Sequence, residues 1–311
     1  MKLDFKDLKV LLIGDFMVDQ YILCTSTRMS PEAPVPVLNP NKIYSSPGGA
    51  GNVALNLREL GANVTCVGCI GSDSEGIELS EFLEDKGINT DFLYITGIPT
   101  TLKKRYYSNG NQVLRVDFER VIDDWHPSIS DIDYNKYDLI ILSDYNKGVL
   151  NNEWFLNISG KNIFVDPKKD NFSFYSNATV ITPNINELQR ATNLKIKDDN
   201  SIVRACQSII EKNSNLEYIL AKKGDKGMTI VGKNGYLKHI DAHKVDNPDV
   251  TGAGDTVIAA FSLAFAKTNN VEDSARIANA AAAIVVGKTG TATVTISEIN
   301  NYIKTKVWTK T

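Results

Sequence analysis

Short apolar runs bounded by turn residues recur along this chain, and helix-like stretches separate several of them; this alternation limits the possible folds more than any other feature. The runs are Val10 to Gly14, Val64 to Ile70, Leu139 to Leu142, Ile163 to Val165, Val180 to Ile181 and Tyr218 to Ala221. Asn52 to Leu60 places Val53, Leu57 and Leu60 on one helical face and is stopped by Gly61, and Ser201 to Glu211 and Asp273 to Val286 read the same way. The rhythm predicts an α/β fold of βαβ units, with a mainly parallel sheet covered by helices on both faces. A ligand is then expected beyond the carboxyl ends of the strands, where loops converge.

Two segments break the rhythm. Ala33 to Leu38 is proline-interrupted and extended, which suits an edge strand, and Leu102 to Val116 has an Asn109-Gly110 centre that signals a hairpin. Together they predict a small β-sheet standing off the main body, able to cover a site or to pair with a second subunit. The 311 residues carry no Gly/Ser-rich linker or internal repeat, so one domain over 1–311 is expected, with lid strands drawn from about 15–45 and 100–118.

Lys plus Arg total 34 and Asp plus Glu total 37, a net charge of -3 that gives no reason to expect a nucleic-acid partner. The polar start Met1 to Lys6 is unlike a signal peptide, and no apolar run approaches the roughly 20 residues of a membrane span. A cytoplasmic location is expected. Cys66 and Cys69 form a lone C-x-x-C inside a strand-like run, with only His126, His239 and His243 as other soft ligands, so Cys24, Cys66, Cys69 and Cys206 read as core thiols.

The chemistry-bearing motifs are rich in glycine. In Val250-Thr251-Gly252-Ala253-Gly254-Asp255 the glycines let successive N–H groups face one concavity, and a helix starting near Asp255 aims its positive end at the same place. Asp255 reads either as the N-cap of that helix or as a general base for a hydroxyl beside a phosphate. Gly49-Ala50-Gly51-Asn52-Val53-Ala54 matches the dinucleotide fingerprint G-x-G-x-x-A but follows no clear strand, and Gly287-Lys288-Thr289 lacks the first glycine of a P-loop, which falls at Ala282. Asn184-Ile185-Asn186-Glu187 is an ordinary helix start that could hold magnesium through water if a phosphate lay beside it.

In order along the chain, Gly14 with Asp15 and Asp19, Gly48-Gly49-Ala50-Gly51-Asn52, Asn184-x-x-Glu187, Lys223-Gly224-Asp225-Lys226-Gly227 and the Asp255 loop resemble the ribokinase-like (PfkB) sugar kinases over essentially the whole chain. Arg28 to Val37, Asp144 to Leu150, Asp166-Pro167-Lys168 and Asn279 to Thr295 look like the D-glycero-D-manno-heptose 7-phosphate kinases within that family. The resemblance implies a three-layer sandwich with a small β-sheet lid. It implies an ATP- and Mg2+-dependent kinase acting on O1 of the heptose phosphate, and a homodimer formed through the lid.

It also implies roles. Asp255 takes the hydroxyl proton while Gly252, Ala253 and Gly254 stabilise the transferring phosphoryl group. Asn184, Ile185, Asn186, Glu187, Lys223, Gly224 and Gly227 bind the nucleotide, with Glu187 on magnesium. Asp15, Asp19, Gly48, Gly49, Asn52 and Asp144 line the sugar site, with Arg105, Lys147 and Lys168 for the 7-phosphate. A monovalent cation beside the Asp255 loop occurs in relatives. Many relatives carry a C-terminal adenylyltransferase; with the chain ending at Thr311, that step is expected of a separate protein. The alternatives are a ribokinase-like kinase for another sugar, nucleoside or phosphosugar, a dinucleotide-binding oxidoreductase, and a sugar or nucleotide binder without chemistry.

Overall fold

A computed structural model describes residues 3–122, 125, 132–151, 158 and 162–305; His126 and both ends of the expected domain lie outside them. The main sheet has nine strands in the order β13-β12-β11-β10-β9-β8-β1-β4-β5. Its strands are β1 Lys9–Gly14, β4 Asn63–Gly71, β5 Asn89–Thr96, β8 Leu139–Ser143, β9 Asn162–Asp166, β10 Val180–Ile181, β11 Tyr218–Lys222, β12 Met228–Gly232 and β13 Leu237–Ile240. From β5 to β11 the pairing is parallel, and β12 and β13 add an antiparallel end.

Period-two alternation along these strands divides the core. Val10 and Leu12 of β1 pack into one apolar cluster with residues of α1 Ala50–Glu59, α5 Ala253–Thr268 and α6 Val271–Val285. Leu11 and Ile13 face the opposite cluster, with Leu188 of α3 Ile185–Thr192 and Ile202, Ala205 and Ile209 of α4 Asp199–Ile210. The sheet is thus buried on both faces, as its near-continuous apolar strands require. Cys66 and Cys69 of β4 and Cys206 of α4 are buried free thiols. Burial pushes all three thiols up, Cys206 to about 12, which makes them poor nucleophiles.

The second sheet runs β3-β2-β6-β7, from β2 Phe16–Thr25, β3 Asn39–Gly49, β6 Thr101–Ser108 and β7 Asn111–Phe118. Asn109 and Gly110 have φ of 51° and 80°, the left-handed pair that a two-residue hairpin turn needs. The expected edge strand at Ala33 to Leu38 is corrected: that stretch makes only an isolated bridge, Met29 to Pro36, and the edge is β3. Pro34 and Pro36 lack the N–H groups that a ladder requires. No helix among the described residues is long and apolar enough to cross a membrane.

Candidate active site

The Asp255 loop delivers its carboxylate in an unexpected way. Gly252, with φ of 73°, is the N-cap of α5 and makes no side-chain cap, so Asp255 falls in the first helical turn without capping it. The capping reading is therefore corrected. Asp255 Oδ2 instead accepts from Asn52 Nδ2 at 2.7 Å and Oδ1 from the Tyr145 hydroxyl at 2.7 Å. Only 6% of the residue is exposed. Burial raises its pKa to about 6; the bonds from Tyr145 and Asn52 oppose this, Asp166 adds to it, and Lys222 draws it down. A carboxyl poised near neutrality, with donors on both oxygens, is suited to receive a proton.

Asn52 comes from α1, and the two helices share a buried polar seam. Asn56 Nδ2 donates to the Asn52 carbonyl at 2.9 Å, and Thr256 Oγ1 donates to Asn56 Oδ1 at 2.9 Å. A Cβ at Gly252 would stand 2.6 Å from Asn52 Nδ2, so glycine is required there by contact as well as by φ. Of the three expected phosphate donors, the amide of Ala253 turns back to the Val250 carbonyl at 3.2 Å.

Among the residues expected at the sugar, Arg105 Nη1 donates to Asp19 Oδ1 at 2.7 Å, and its guanidinium lies over the Tyr21 ring at 5.5 Å. Gly48 passes so close that a Cβ would stand 2.9 Å from the Asp19 carboxylate. Asp15, also expected at the sugar, has backbone amides on both oxygens. Its Oδ2 accepts from the amides of Tyr145 at 2.8 Å and Lys147 at 3.0 Å, and its Oδ1 from Val149 at 3.1 Å. Burial and the neighbouring Asp144 raise the Asp15 pKa to about 6 against these three amides. Asp144 Oδ2 accepts from the Tyr175 hydroxyl at 2.6 Å, with Lys169 Nζ 3.9 Å away. Asp15, Thr100, Thr101, Arg120 and Lys147 line a narrow pocket.

Among the residues expected at the nucleotide, Asn184 and Glu187 form a reciprocal capping box at α3, with bonds of 2.8 and 2.9 Å. Ile185 and Asn186 are its first helical residues. Lys223 Nζ donates to Asp199 Oδ1 at 2.9 Å, and Gly224 and Gly227 bracket a short turn at φ of 63° and 85°. The three expected phosphate cations face different carboxylates: Arg105 meets Asp19, Lys147 Nζ donates to Glu119 at 2.6 Å, and Lys168 lies 3.6 Å from Glu187.

Lys222 and Tyr145 received no role from the sequence. Tyr145 lies between the charged Asp144 and Lys147, and Lys222 closes the apolar run of β11, so neither stands out as a local motif. The G-x-G-x-x-A match also changes meaning, since Gly49 ends β3 of the small sheet and caps α1, outside any βαβ unit of the main one. A cavity of about 890 Å³ flanks the opposite, amino-terminal ends of β9 and β11, and none of the motif residues lines it.

The profile described as pfkB family carbohydrate kinase matches residues 7–298. The chain belongs to this family. The bifunctional protein HldE of Aliarcobacter butzleri is 42% identical over 306 residues, which cover 94% of this chain and 64% of that protein. HldE of Coxiella burnetii is 37% identical over 95% of this chain and 63% of its own length. The chain thus spans just under two thirds of these relatives. Among solved structures, ribokinase from Thermotoga maritima superposes with a TM-score of 0.75 at 22% identity, covering 96% of this chain and 99% of that one. Arabidopsis thaliana ribokinase complexed with ribose and ATP gives 0.77 at 19%, with the same coverage. The architecture is the ribokinase-like α/β fold.

Proposed function

We propose that this pfkB-family chain transfers the γ-phosphate of ATP to O1 of D-glycero-D-manno-heptose 7-phosphate. The product is the 1,7-bisphosphate used in ADP-heptose and lipopolysaccharide core precursor synthesis. The observation that carries the reading is the Asp255 carboxylate, buried at the amino end of α5, free of capping and held by Asn52 and Tyr145. The HldE relatives and the heptose-kinase motifs support the acceptor.

Asp255 takes the proton of the attacking hydroxyl. The sugar oxygen bonds to the γ-phosphorus as the bond to the β,γ-bridging oxygen breaks, and that electron pair leaves with ADP. The amides of Gly252 and Gly254, at the positive end of α5, stabilise the transferring group. Asp19 and Arg105, with Gly48 beside them, form the sugar side. Asn184, Glu187, Lys223, Gly224 and Gly227 form the nucleotide side.

Among the described residues no cluster of three or more His, Cys, Asp or Glu could hold a metal ion alone. This donor set fits Mg2+ held chiefly by its substrate: Glu187 would reach the ion through water, and the ion would neutralise phosphate charge. Asp249, which accepts from the amides of Thr251 and Gly290, would be the anionic group beside the loop for a monovalent cation. The exposed Ile43, Val113, Leu114 and Phe118 on the lid strands support a homodimer, for which a monomeric mass by light scattering is the contrary result. The chemistry belongs in the cytoplasm, where ATP is available. Coupled ADP release with heptose 7-phosphate, ribose and adenosine tests the acceptor: a higher kcat/KM for either free substrate overturns the heptose assignment.

A further inference from the structure

One half-buried cation stands between the two halves of this site. β9 ends at Asp166 and β11 at Lys222, and β10 between them is only two residues long. The backbone leaving β10 is held by Lys222, whose amide donates to the Pro183 carbonyl at 2.8 Å. Across this short strand, Lys222 Nζ donates to Asp166 Oδ1 at 2.5 Å, and Thr182 Oγ1 donates to the same oxygen at 3.1 Å. Each charged side chain is only 15% exposed.

Stability is a weak explanation for such a pair, because the cost of desolvating two ions commonly cancels their attraction. Position offers a better one. The ammonium is 3.4 Å from where a Cβ on Gly254 would stand, so it lies against the first turn of α5. Burial, the largest influence, pushes the Lys222 pKa down, yet Asp166, Glu187 and Asp255 together hold it above the ordinary lysine range. The same ammonium therefore feels the acid of the nucleotide motif and the acid at the acceptor. A γ-phosphate passing from one to the other must approach a region of negative carboxylates, and phosphoryl transfer depends chiefly on charge placed in advance.

We propose that Lys222 is a catalytic residue whose ammonium contacts the transferring phosphoryl group, and that Asp166 is the positioning residue that aims it. The proposal rests on the kinase reading above. Lys222 makes and breaks no covalent bond and keeps its proton while the acceptor oxygen bonds to phosphorus and ADP departs.

The test compares wild type with Lys222→Met, Lys222→Arg, Asp166→Asn and the Asp166→Asn/Lys222→Met double variant, each first shown to be folded by circular dichroism and thermal melting. With heptose 7-phosphate as acceptor, Lys222→Met is expected to lower kcat about 100-fold or more with the heptose KM within about threefold, and Lys222→Arg to recover at least about tenfold of that. Asp166→Asn is expected to lower kcat less, and to add little in the double variant, since it acts through the lysine. Calorimetry then compares ADP with ADP plus aluminium fluoride. Wild type is expected to prefer the fluoride complex, and Lys222→Met to lose that preference while binding ADP within about twofold of wild type. Lys222→Met with kcat within threefold of wild type, or with the fluoride preference intact, overturns the proposal. Absence of sugar turnover by wild type would count against the acceptor reading instead, and the fluoride measurement would still decide the role of Lys222. If Lys222→Met does not fold, the Lys222→Arg and Asp166→Asn pair decides: wild-type kcat in both overturns it.

Discussion

Replacing Asp255 with Asn is expected to stabilise the protein at alkaline pH while abolishing most of its turnover. The carboxyl is raised from 3.8 to about 6 in the folded chain, principally by burial. That difference is about two units at about 1.4 kcal/mol each, so ionising Asp255 in place costs on the order of 3 kcal/mol. Between these pH values the native state retains a proton that the unfolded chain has lost. Stability contributed by this group therefore falls as pH rises through the window, and the full cost is present above about pH 6. An amide does not ionise and escapes it. One term is independent of pH: the new NH2 meets a donor, Asn52 Nδ2 or the Tyr145 hydroxyl; the hydroxyl can rotate to accept, whereas Asn52 accepts only by flipping its Oδ1 away from Asn56. The decisive quantity is thus the stability of Asp255→Asn relative to wild type, which should grow by about 3 kcal/mol from pH 4 to pH 8 in urea titrations. Coupled ADP release should show kcat lower by about 10²- to 10⁴-fold, the usual contribution of a general base. A difference in stability that stays flat with pH refutes the buried-ion argument, and turnover within tenfold of wild type refutes the base.

Three further substitutions separate the groups around Asp255. The Tyr145 hydroxyl bond lowers the Asp255 pKa, so Tyr145→Phe should move the acidic limb of kcat/KM upward from about pH 6, and an unmoved limb would show that Tyr145 does not tune the base. Gly252→Ala places a Cβ at φ of 73° and 2.6 Å from Asn52 Nδ2, so it should lose about 1–2 kcal/mol from backbone strain alone and lower kcat as well; a melt and turnover matching wild type would contradict the geometry. Asp15→Asn should lower kcat by about tenfold with the heptose 7-phosphate KM within about threefold, because Asp15 holds the Tyr145 loop; a rise in KM at constant kcat would restore it to the sugar site.

Much of the fold was legible because its strands are buried on both faces and therefore read as apolar runs. β1, β4, β8, β9, β10 and β11 stood out in this way. β5, β12 and β13 did not: β5 and β13 are partly exposed, and β12 continues the chain after a turn built around Gly224 and Gly227. Ala33 to Leu38 misled because proline spacing suggested an extended strand, while the pairing that makes a sheet edge falls one segment later, where Asn39 to Gly49 can match β2. In the site, single motifs were visible but their partners were not. Asn52 and Asp255 lie 203 positions apart, and no local pattern announces a bond between them. Lys222 was hidden for the same reason, since its meaning depends on Asp166 lying two strands away across β10.

The arrangement around Asp255 gives a physical reason for a lid to be attached where it is. The backbone at Asp15 and Gly49 is a single junction: the Ala50 amide donates to the Asp15 carbonyl at 3.0 Å, and β2 and β3 pair from Phe16 and Gly49 onward. From one side of that junction α1 carries Asn52 to Oδ2 of the base. From the other, the Asp15 carboxylate holds the amides of the loop that carries Tyr145 to Oδ1. Both donors to Asp255 therefore hang from the root of the small sheet. A displacement of that root by about 1 Å would lengthen both bonds together, and hydrogen bonds of 2.7 Å weaken steeply over such a distance. Under the proposed function, a small sheet that closed over the sugar would align the base in the same movement, and acceptor contacts far from the reacting hydroxyl would then contribute to kcat as well as to KM.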